Sequence, residues 1–197
     1  MLIVVVITLI ILFMGLAIIT VVAGITIHNS LIDKKNRVEE NLSGIDVQLK
    51  KRYDLIPDLV SSVKKYMKHE ESLLKEIVNL REEGQQSNNI REEDKINQQL
   101  DEKTSQLEVK MEAYPELKAN QNIDTLMKSL HEVEAQISAA RRSYNAAVRE
   151  YNNGLEMFPS SLIASMINLE PKEMFAAQEK EKADVNVNDL FAAEEEQ

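Results

Sequence analysis

The sequence predicts an all-α protein in which a single N-terminal transmembrane helix precedes an antiparallel bundle of three long helices and one short helix. Three observations support this fold class. An uncharged apolar stretch opens the chain, helix breakers are scarce, and apolar residues then recur every three or four positions. The 197 residues include only five Gly and four Pro. Apolar side chains three and four positions apart lie on one face of a helix, which can pack against other helices.

The opening stretch runs from Leu2 to Ile27 without a charged residue. About 20 apolar residues cross the ~30 Å hydrocarbon core of a bilayer, so residues 1–28 are predicted to form a transmembrane anchor. A cleaved signal peptide is the alternative. It fits less well, because no basic residue precedes the stretch and the apolar run is longer than in most signals.

Positive charges follow the apolar stretch and none precedes it. The juxtamembrane basic residues are Lys34, Lys35 and Arg37. Since Lys and Arg concentrate on the cytoplasmic side of membrane helices, this asymmetry predicts a single-pass protein with its N-terminus outside and its body in the cytoplasm. The same cations suit contact with anionic lipid head groups, although a simple stop-transfer flank also explains them.

The first half of the body contains two predicted helices. Apolar spacing predicts one over Val38–Leu80, with a kink or short break near Tyr53–Pro57, because Pro removes a backbone donor and clashes with the preceding turn. The polar segment Glu82–Asn89 is predicted to be a loop. A second helix is expected over Ile90–Ala113, and Tyr114-Pro115 ends it because the residue before Pro avoids the helical conformation.

The third body helix, predicted over Ile123–Phe158, has the most regular apolar spacing and contains a repeat. Tyr144-Asn145 recurs seven positions later as Tyr151-Asn152. Seven residues are about two turns, so both tyrosines occupy one helix face. We therefore interpret them as packing residues and not as a reaction centre. The two asparagines lie one step away and are expected to hydrogen-bond to a neighbouring helix or backbone.

The end of the chain changes character after the third helix. A short amphipathic helix is predicted over Ser160–Pro171. The bundle domain is expected to span residues 29–175. The remaining residues, 176–197, are rich in Glu and Asp and are expected to form a disordered acidic tail.

Three ordered blocks of the body resemble the LemA family. They are Gly44–Glu70, Glu112–Leu130 and Ala140–Ala164, and the resemblance extends over Ser30–Phe175. It implies a bacterial protein of the cytoplasmic membrane with one N-terminal membrane helix, a short outer end and an antiparallel helical body. The molecular function of LemA-like proteins is not settled, and some relatives are associated with membrane organisation.

The richest polar cluster is the candidate partner or ligand surface. It consists of Asp46, Gln48, Arg52, Tyr53 and Asp54. A catalytic base at Asp46 or Asp54 is the weakest interpretation, because acids and bases spaced along one helix usually form solvated or i,i+4 pairs. A structural role is favoured, and a partner-binding surface comes second.

Other sequence features argue against an enzyme. The chain has no Cys, and its three His lie in separate segments. It has no Gly-rich phosphate loop, no nucleophile elbow and no metal-ligand spacing. No catalytic residue, cofactor or metal is therefore expected. Arg141 and Arg142, which lie near Tyr144, are expected to form surface ion pairs, and the alternative is that they stack on a tyrosine or pair with an acid of the first helix.

The leading functional hypothesis is a membrane-anchored, non-enzymatic scaffold or adaptor. Its expected partners are the lipid bilayer, an unidentified protein and further copies of itself. Nucleic acid is not expected, because the formal net charge is −10 and DNA is a polyanion. The alternative is a signalling or stress accessory protein that binds a ligand or partner through the polar kink around Arg52–Asp54.

Overall fold

The computed structural model describes residues 1–87 and 89–175, and within these ranges it contains α-helices and no strand. The helices are α1 (Leu2–Lys64), α2 (Glu71–Gln86), α3 (Ile90–Met111), α4 (Pro115–Lys118), α5 (Gln121–Glu156) and α6 (Ser160–Met166). The all-α fold class with a long apolar N-terminal helix is confirmed. The predicted acidic tail, residues 176–197, lies outside the described residues.

The first body helix ends earlier than the apolar spacing predicts. α1 continues through Pro57 to Lys64, and the chain turns back over Lys65–Glu70, which includes a 3-10 turn at Lys68–Glu70. The predicted helix Val38–Leu80 is therefore the second half of α1 followed by α2. The same apolar spacing continues across the turn because both helices pack on one core, and fully buried Met67 fills the bend.

Four helices, α1, α2, α3 and α5, alternate in direction. Side-chain pairs fix the alignment of each neighbouring pair: Arg81 Nε donates to Tyr53 O at 2.7 Å, Lys103 pairs with Glu76 at 2.6 Å, His131 with Glu108 at 3.1 Å, and Lys34 with Glu150 at 3.6 Å. Connections of at most nine residues reverse the chain between consecutive members of this set, and Lys34, early in the bundle part of α1, meets Glu150 near the end of α5. The body is thus an antiparallel helical bundle.

The bundle core begins well after the start of α1. Leu31 is 1% exposed and the first large buried side chain of the helix, whereas residues 2–23 are exposed along their whole length. At 1.5 Å per residue this free part of α1 projects about 33 Å. Among the described helices, α1 is the one that is long and apolar enough to cross a membrane.

Candidate functional site

The repeated Tyr–Asn pair of α5 holds the chain that follows α6. Asn145 Nδ2 donates to Phe175 O at 3.0 Å, and Asn145 Oδ1 accepts from Phe175 N at 2.9 Å. Asn152 makes the same two bonds with Lys172, at 2.9 and 3.0 Å. Each asparagine amide therefore satisfies both the donor and the acceptor of one backbone residue.

The two tyrosines add one bond each. Tyr151 Oη donates to Glu170 O and Tyr144 Oη donates to Glu173 O, both at 3.1 Å. We call residues 144, 145, 151 and 152 the Tyr–Asn clasp and residues 170–175 the strap. Both tyrosine side chains are buried, as the packing interpretation predicts, and burial raises the pKa of each phenol. Their hydroxyls therefore stay protonated and act as donors near neutral pH.

The spacing of the clasp matches an extended peptide. Seven residues of helix rise about 10.5 Å, and three residues of extended chain span about 10 Å. The bonded strap residues are three apart in each series, Glu170 and Glu173 for the tyrosines, Lys172 and Phe175 for the asparagines. All six bonds go to backbone atoms, so the clasp recognises chain direction and register more than side-chain identity.

A single strap side chain contributes to packing in the core. Phe175 is 6% exposed, and its ring meets the Tyr144 ring edge-on at a centroid distance of 5.2 Å and an interplanar angle of 71°. The guanidinium of Arg141 lies over the Phe175 ring, 5.4 Å from its centroid. Edge-to-face and cation–π contacts of this kind each contribute about 0.5–1.5 kcal/mol.

A layer of buried polar residues joins α3 to α1 and α5. Arg52 of α1 pairs with Asp101 of α3 at 2.5 Å, and Arg141 of α5 pairs with Asp94 of α3 at 3.0 Å. Between these pairs, Tyr53 Oη donates to Asn97 Oδ1 at 3.3 Å. Buried ion pairs specify how helices meet, since leaving either partner alone in the interior is costly.

The polar layer perturbs its carboxyl groups. Desolvation, reinforced by the nearby Asp46 charge, raises the pKa of Glu93 to about 6 from an ordinary 4.5, although Arg141 opposes the shift. Desolvation also raises the pKa of Asp94, against the opposing effect of Arg141, and raises the pKa of Asp46. Burial thus raises the pKa of Glu93, Asp94 and Asp46 alike.

The five residues of the predicted polar surface separate in the structure. Arg52 and Tyr53 point into the bundle and are 3% and 4% exposed. Asp46 and Asp54 are exposed and Gln48 is half-buried. Their role in binding a partner or ligand stays a prediction, and three of the five side chains are accessible for it.

The α3 residues of the polar layer were not predicted from the sequence. Asp94, Asn97 and Asp101 are spaced by three and four residues, which places polar groups on one face of α3. This spacing was the available signal. Arg141, expected in a surface pair, is instead 6% exposed and pairs with Asp94 inside the bundle. The apolar residues around it on α5 do not show by themselves that an arginine lies inside.

The basic residues after the apolar stretch all pair with acids. Lys34 contacts Glu150 of α5 at 3.6 Å, and Lys35 and Arg37 pair within α1 at 3.7 and 3.0 Å.

Next to Lys34, the end of α5 and the start of α6 close around α1 and leave a cavity of about 450 Å³. Its lining includes Thr26, Ile27, Leu31, Gly154, Met157 and Pro159. The bundle therefore extends along α1 as far as the end of the apolar stretch.

Comparison with known proteins agrees with these features. The model of the LemA family matches residues 41–188, about three quarters of the chain. The chain belongs to the LemA family. Protein LemA of Metamycoplasma hominis is 26% identical to it over 167 residues, which cover 82% of this chain and 74% of that relative. The LemA match starts after the apolar stretch and includes most of the bundle, the polar layer and the clasp.

Proposed function

We propose that this LemA-family protein is a single-pass protein of the bacterial cytoplasmic membrane whose helical body acts as a non-enzymatic scaffold or adaptor on the cytoplasmic side. The observation that carries the proposal is the continuity of α1. One helix, Leu2–Lys64, begins as an exposed apolar rod and ends as a core element of the bundle. A bilayer would cover the exposed part.

The exposed rod is unfavourable in water. The side chains of Leu12, Phe13 and Ile19, for example, are 67–75% exposed. Each Å² of apolar surface left in water costs about 25 cal/mol. Burial in lipid removes this cost, and beyond the first turn the backbone groups of the rod are hydrogen-bonded within their own helix. The length also fits, because the uncharged residues exceed the roughly 20 needed to span hydrocarbon.

The continuity of α1 supports a scaffold because it allows no flexible linker. Leu31, Val38 and Ile45 are core residues of the same helix that leaves the membrane. The body would therefore keep a fixed orientation to the bilayer. A protein that positions partners at a membrane benefits from such rigidity.

The polar interior supports a non-enzymatic role. Arg52, Asp94 and Arg141 are engaged in pairs that join helices, and no cluster of three or more potential metal ligands occurs among the described residues. The proposal accordingly includes no cofactor, and it names an unidentified protein and further copies of the chain as partners. The accessible Asp46, Gln48 and Asp54 are its candidate contact surface.

The orientation is tested with single-cysteine variants, because the chain has no Cys. Val109 is 68% exposed on the body. In intact spheroplasts, Val109→Cys should react with a membrane-impermeant maleimide only after permeabilisation. Labelling before permeabilisation would place the body outside and contradict the proposed topology.

The scaffold role is tested by photo-crosslinking in native membranes. A crosslinking amino acid at exposed Asp54 should give discrete products with another protein or a second copy, identified by mass spectrometry. The same amino acid at buried Tyr53 is the matched control and should give only intramolecular products. A protein that stays uncrosslinked from both positions would oppose the scaffold proposal.

A further inference from the structure

We infer that the corner between α5 and α6, residues 157–167, inserts apolar side chains into the head-group region of the leaflet from which α1 emerges. This corner is a second membrane contact of the body, separate from the transmembrane anchor. The inference rests on the proposed function, because it requires α1 to cross the bilayer.

The corner exposes large apolar side chains that its own fold does not cover. Met157, Phe158, Leu162 and Met166 are 63%, 81%, 56% and 77% exposed. Leu162 and Met166 are four residues apart and lie on one face of α6, and Phe158 lies in the turn that precedes the helix. The opposite side of α6 carries Ala164, which is buried against the bundle.

The corner also lacks charge. No residue from Met157 to Leu169 is Asp, Glu, Lys or Arg, in a chain of which 28% is charged. A soluble surface normally intersperses charges with its apolar residues, and a contiguous apolar patch usually marks a contact with a partner or membrane. The uncharged patch with Ser160 and Ser161 between its apolar residues suits the mixed environment of a bilayer interface.

The corner lies level with the end of the apolar rod. Gly154, three residues before Met157, packs on α1 so closely that a Cβ there would be 3.1 Å from Leu31 Cδ2. Met157 and Pro159 line the same cavity as Thr26 and Ile27. The exposed patch therefore sits beside the last uncharged turns of α1.

The thickness of the bilayer places the last uncharged turns of α1 in the head-group region. A ~30 Å hydrocarbon core takes about 20 residues of helix, and the uncharged run Leu2–Ile27 is about six residues longer. The excess, about 9 Å, is long enough to span the zone of roughly 5–7 Å between hydrocarbon and water. The adjacent corner shares this depth, whereas Lys34 lies about two turns farther out.

The position of the strap favours lipid, and not the chain's own C-terminal residues, as the partner that covers the apolar patch of the corner. The strap ends with Phe175 held by Asn145, which lies twelve residues from Met157 along α5. This corresponds to about 18 Å of helix, directed away from the membrane end. With α1 across the bilayer, lipid would lie directly beside the patch.

The test uses the full chain in vesicles of phosphatidylethanolamine and phosphatidylglycerol, with an environment-sensitive NBD label on single cysteines. Labels at Phe158→Cys and Leu162→Cys should show blue-shifted emission and at least a twofold loss of intensity with lipids spin-labelled near the head group. Val109→Cys, an equally apolar and exposed position on α3, should show neither. Leu12→Cys should be quenched by lipids spin-labelled deep in the acyl chain.

The outcomes separate this inference from the proposed function. Quenching at Leu12 with a corner that behaves like Val109 would overturn the inference and leave the anchor intact. A blue shift at the corner without lipid quenching would indicate a protein occupant and would also overturn it. Failure of quenching at Leu12 would instead refute the membrane anchor itself.

A second variant guards against effects of the label. Phe158→Ser combined with Met166→Ser should reduce head-group quenching at Leu162→Cys by at least half. Both side chains are exposed, so the thermal unfolding midpoint in detergent should not change. Unchanged quenching in the double variant would contradict insertion of the corner.

Discussion

At the scale of single residues, the tightest constraint on substitution is the approach of α2 to α1 at Gly84. This glycine is buried, and the Tyr53 ring packs against its Cα face. A Cβ at position 84 would lie 2.8 Å from Tyr53 Cζ, closer than real side chains come. Tyr53 cannot easily move away, because its hydroxyl bonds to Asn97 and its carbonyl accepts from Arg81.

We predict that Gly84→Ala destabilises the bundle by about 1–3 kcal/mol, because overpacking outweighs the gain of up to about 1 kcal/mol in helix propensity. Gly44→Ala is the matched control. Nothing lies within 4 Å of a Cβ at position 44, so that variant should gain roughly 0.5–1 kcal/mol. Chemical denaturation of both variants in one detergent measures the difference, and a neutral or stabilising Gly84→Ala would contradict the packing.

Glu93 gives a prediction about pH. Its pKa in the folded protein is about 6, above the ordinary 4.5, so between these values the folded state holds a proton that the unfolded state releases. Stability from this group therefore rises as pH falls from 6 towards 4.5, and the ionised carboxylate opposes folding above pH 6. Glu93→Gln should be more stable than the parent at pH 7.5, and this advantage should shrink towards zero at pH 4.5.

The control for Glu93→Gln is Glu92→Gln, a neighbouring exposed carboxylate. Denaturation at both pH values isolates Glu93, because other ionisable groups are common to the variant and the parent. An advantage of Glu93→Gln that is constant with pH, or that grows in acid, would show that Glu93 is not desolvated.

At the scale of elements, the clasp explains how a short segment without regular secondary structure stays on α5. The strap buries one large side chain, Phe175, and its backbone groups are satisfied by Asn145 and Asn152. Each net hydrogen bond contributes about 0.5–1.5 kcal/mol. The strap is thus held mainly by side chains of another element.

We predict that Asn145→Ala and Asn152→Ala each release part of the strap at a cost of about 1–3 kcal/mol for two lost bonds. Hydrogen exchange should accelerate at the amides of Phe175 and Lys172 respectively, since these donate to the asparagine oxygens. Asn153→Ala, at an exposed position of the same helix, is the control and should leave exchange unchanged. Equal exchange in all three variants would refute the clasp.

The buried ion pairs attach α3 to α1 and to α5. We predict that Arg141→Met destabilises the bundle by about 3–5 kcal/mol, because it leaves Asp94 buried without its cation. The double variant Asp94→Leu/Arg141→Met should recover most of this loss. Arg149→Met, exposed on the same helix, should change stability by less than about 0.5 kcal/mol. Thermal or chemical unfolding of the three variants gives the comparison, and additive losses in the double variant would exclude the pair.

Helix ends marked by Pro or by polar linkers could be predicted from the sequence, whereas a bend made by tertiary packing alone could not. α3 and α5 end within two residues of the predicted bounds, because Pro115 and the polar linkers interrupt apolar spacing there. The bend at Lys65–Glu70 contains neither Gly nor Pro, and its Met67 continues the apolar pattern, so only tertiary packing shows that the chain reverses.

In the candidate site, the burial of side chains could be predicted from the sequence, but their hydrogen-bond and ion-pair partners could not. The heptad repeat of Tyr144 and Tyr151 predicts their common buried face correctly, since periodicity reports burial. The partner of Asn145 and Asn152 could not be identified, because a strap that is recognised through its backbone leaves no pattern in its own side chains. Pairing of Arg141 with Asp94 likewise depends on the alignment of two helices far apart in sequence.

At the scale of the whole molecule, α1 unites the apolar rod and the bundle in one rigid element. We predict that deletion of residues 2–27 moves the protein from the membrane pellet to the soluble fraction. Circular dichroism should retain strong helical signal, because the large buried side chains start at Leu31. A deletion variant that remains in the pellet after carbonate extraction would indicate another, stronger attachment.

The anchored end of the strap also fixes the point at which the acidic segment leaves the bundle. Residues 176–197 carry seven acids and two lysines, a net charge of −5, and they begin where Asn145 grips Phe175. That point lies about 18 Å along α5 from the corner, more than twice the ~8 Å screening length of physiological salt. With α1 in an anionic membrane, the chain would therefore leave the bundle beyond the repulsive reach of the lipid phosphates.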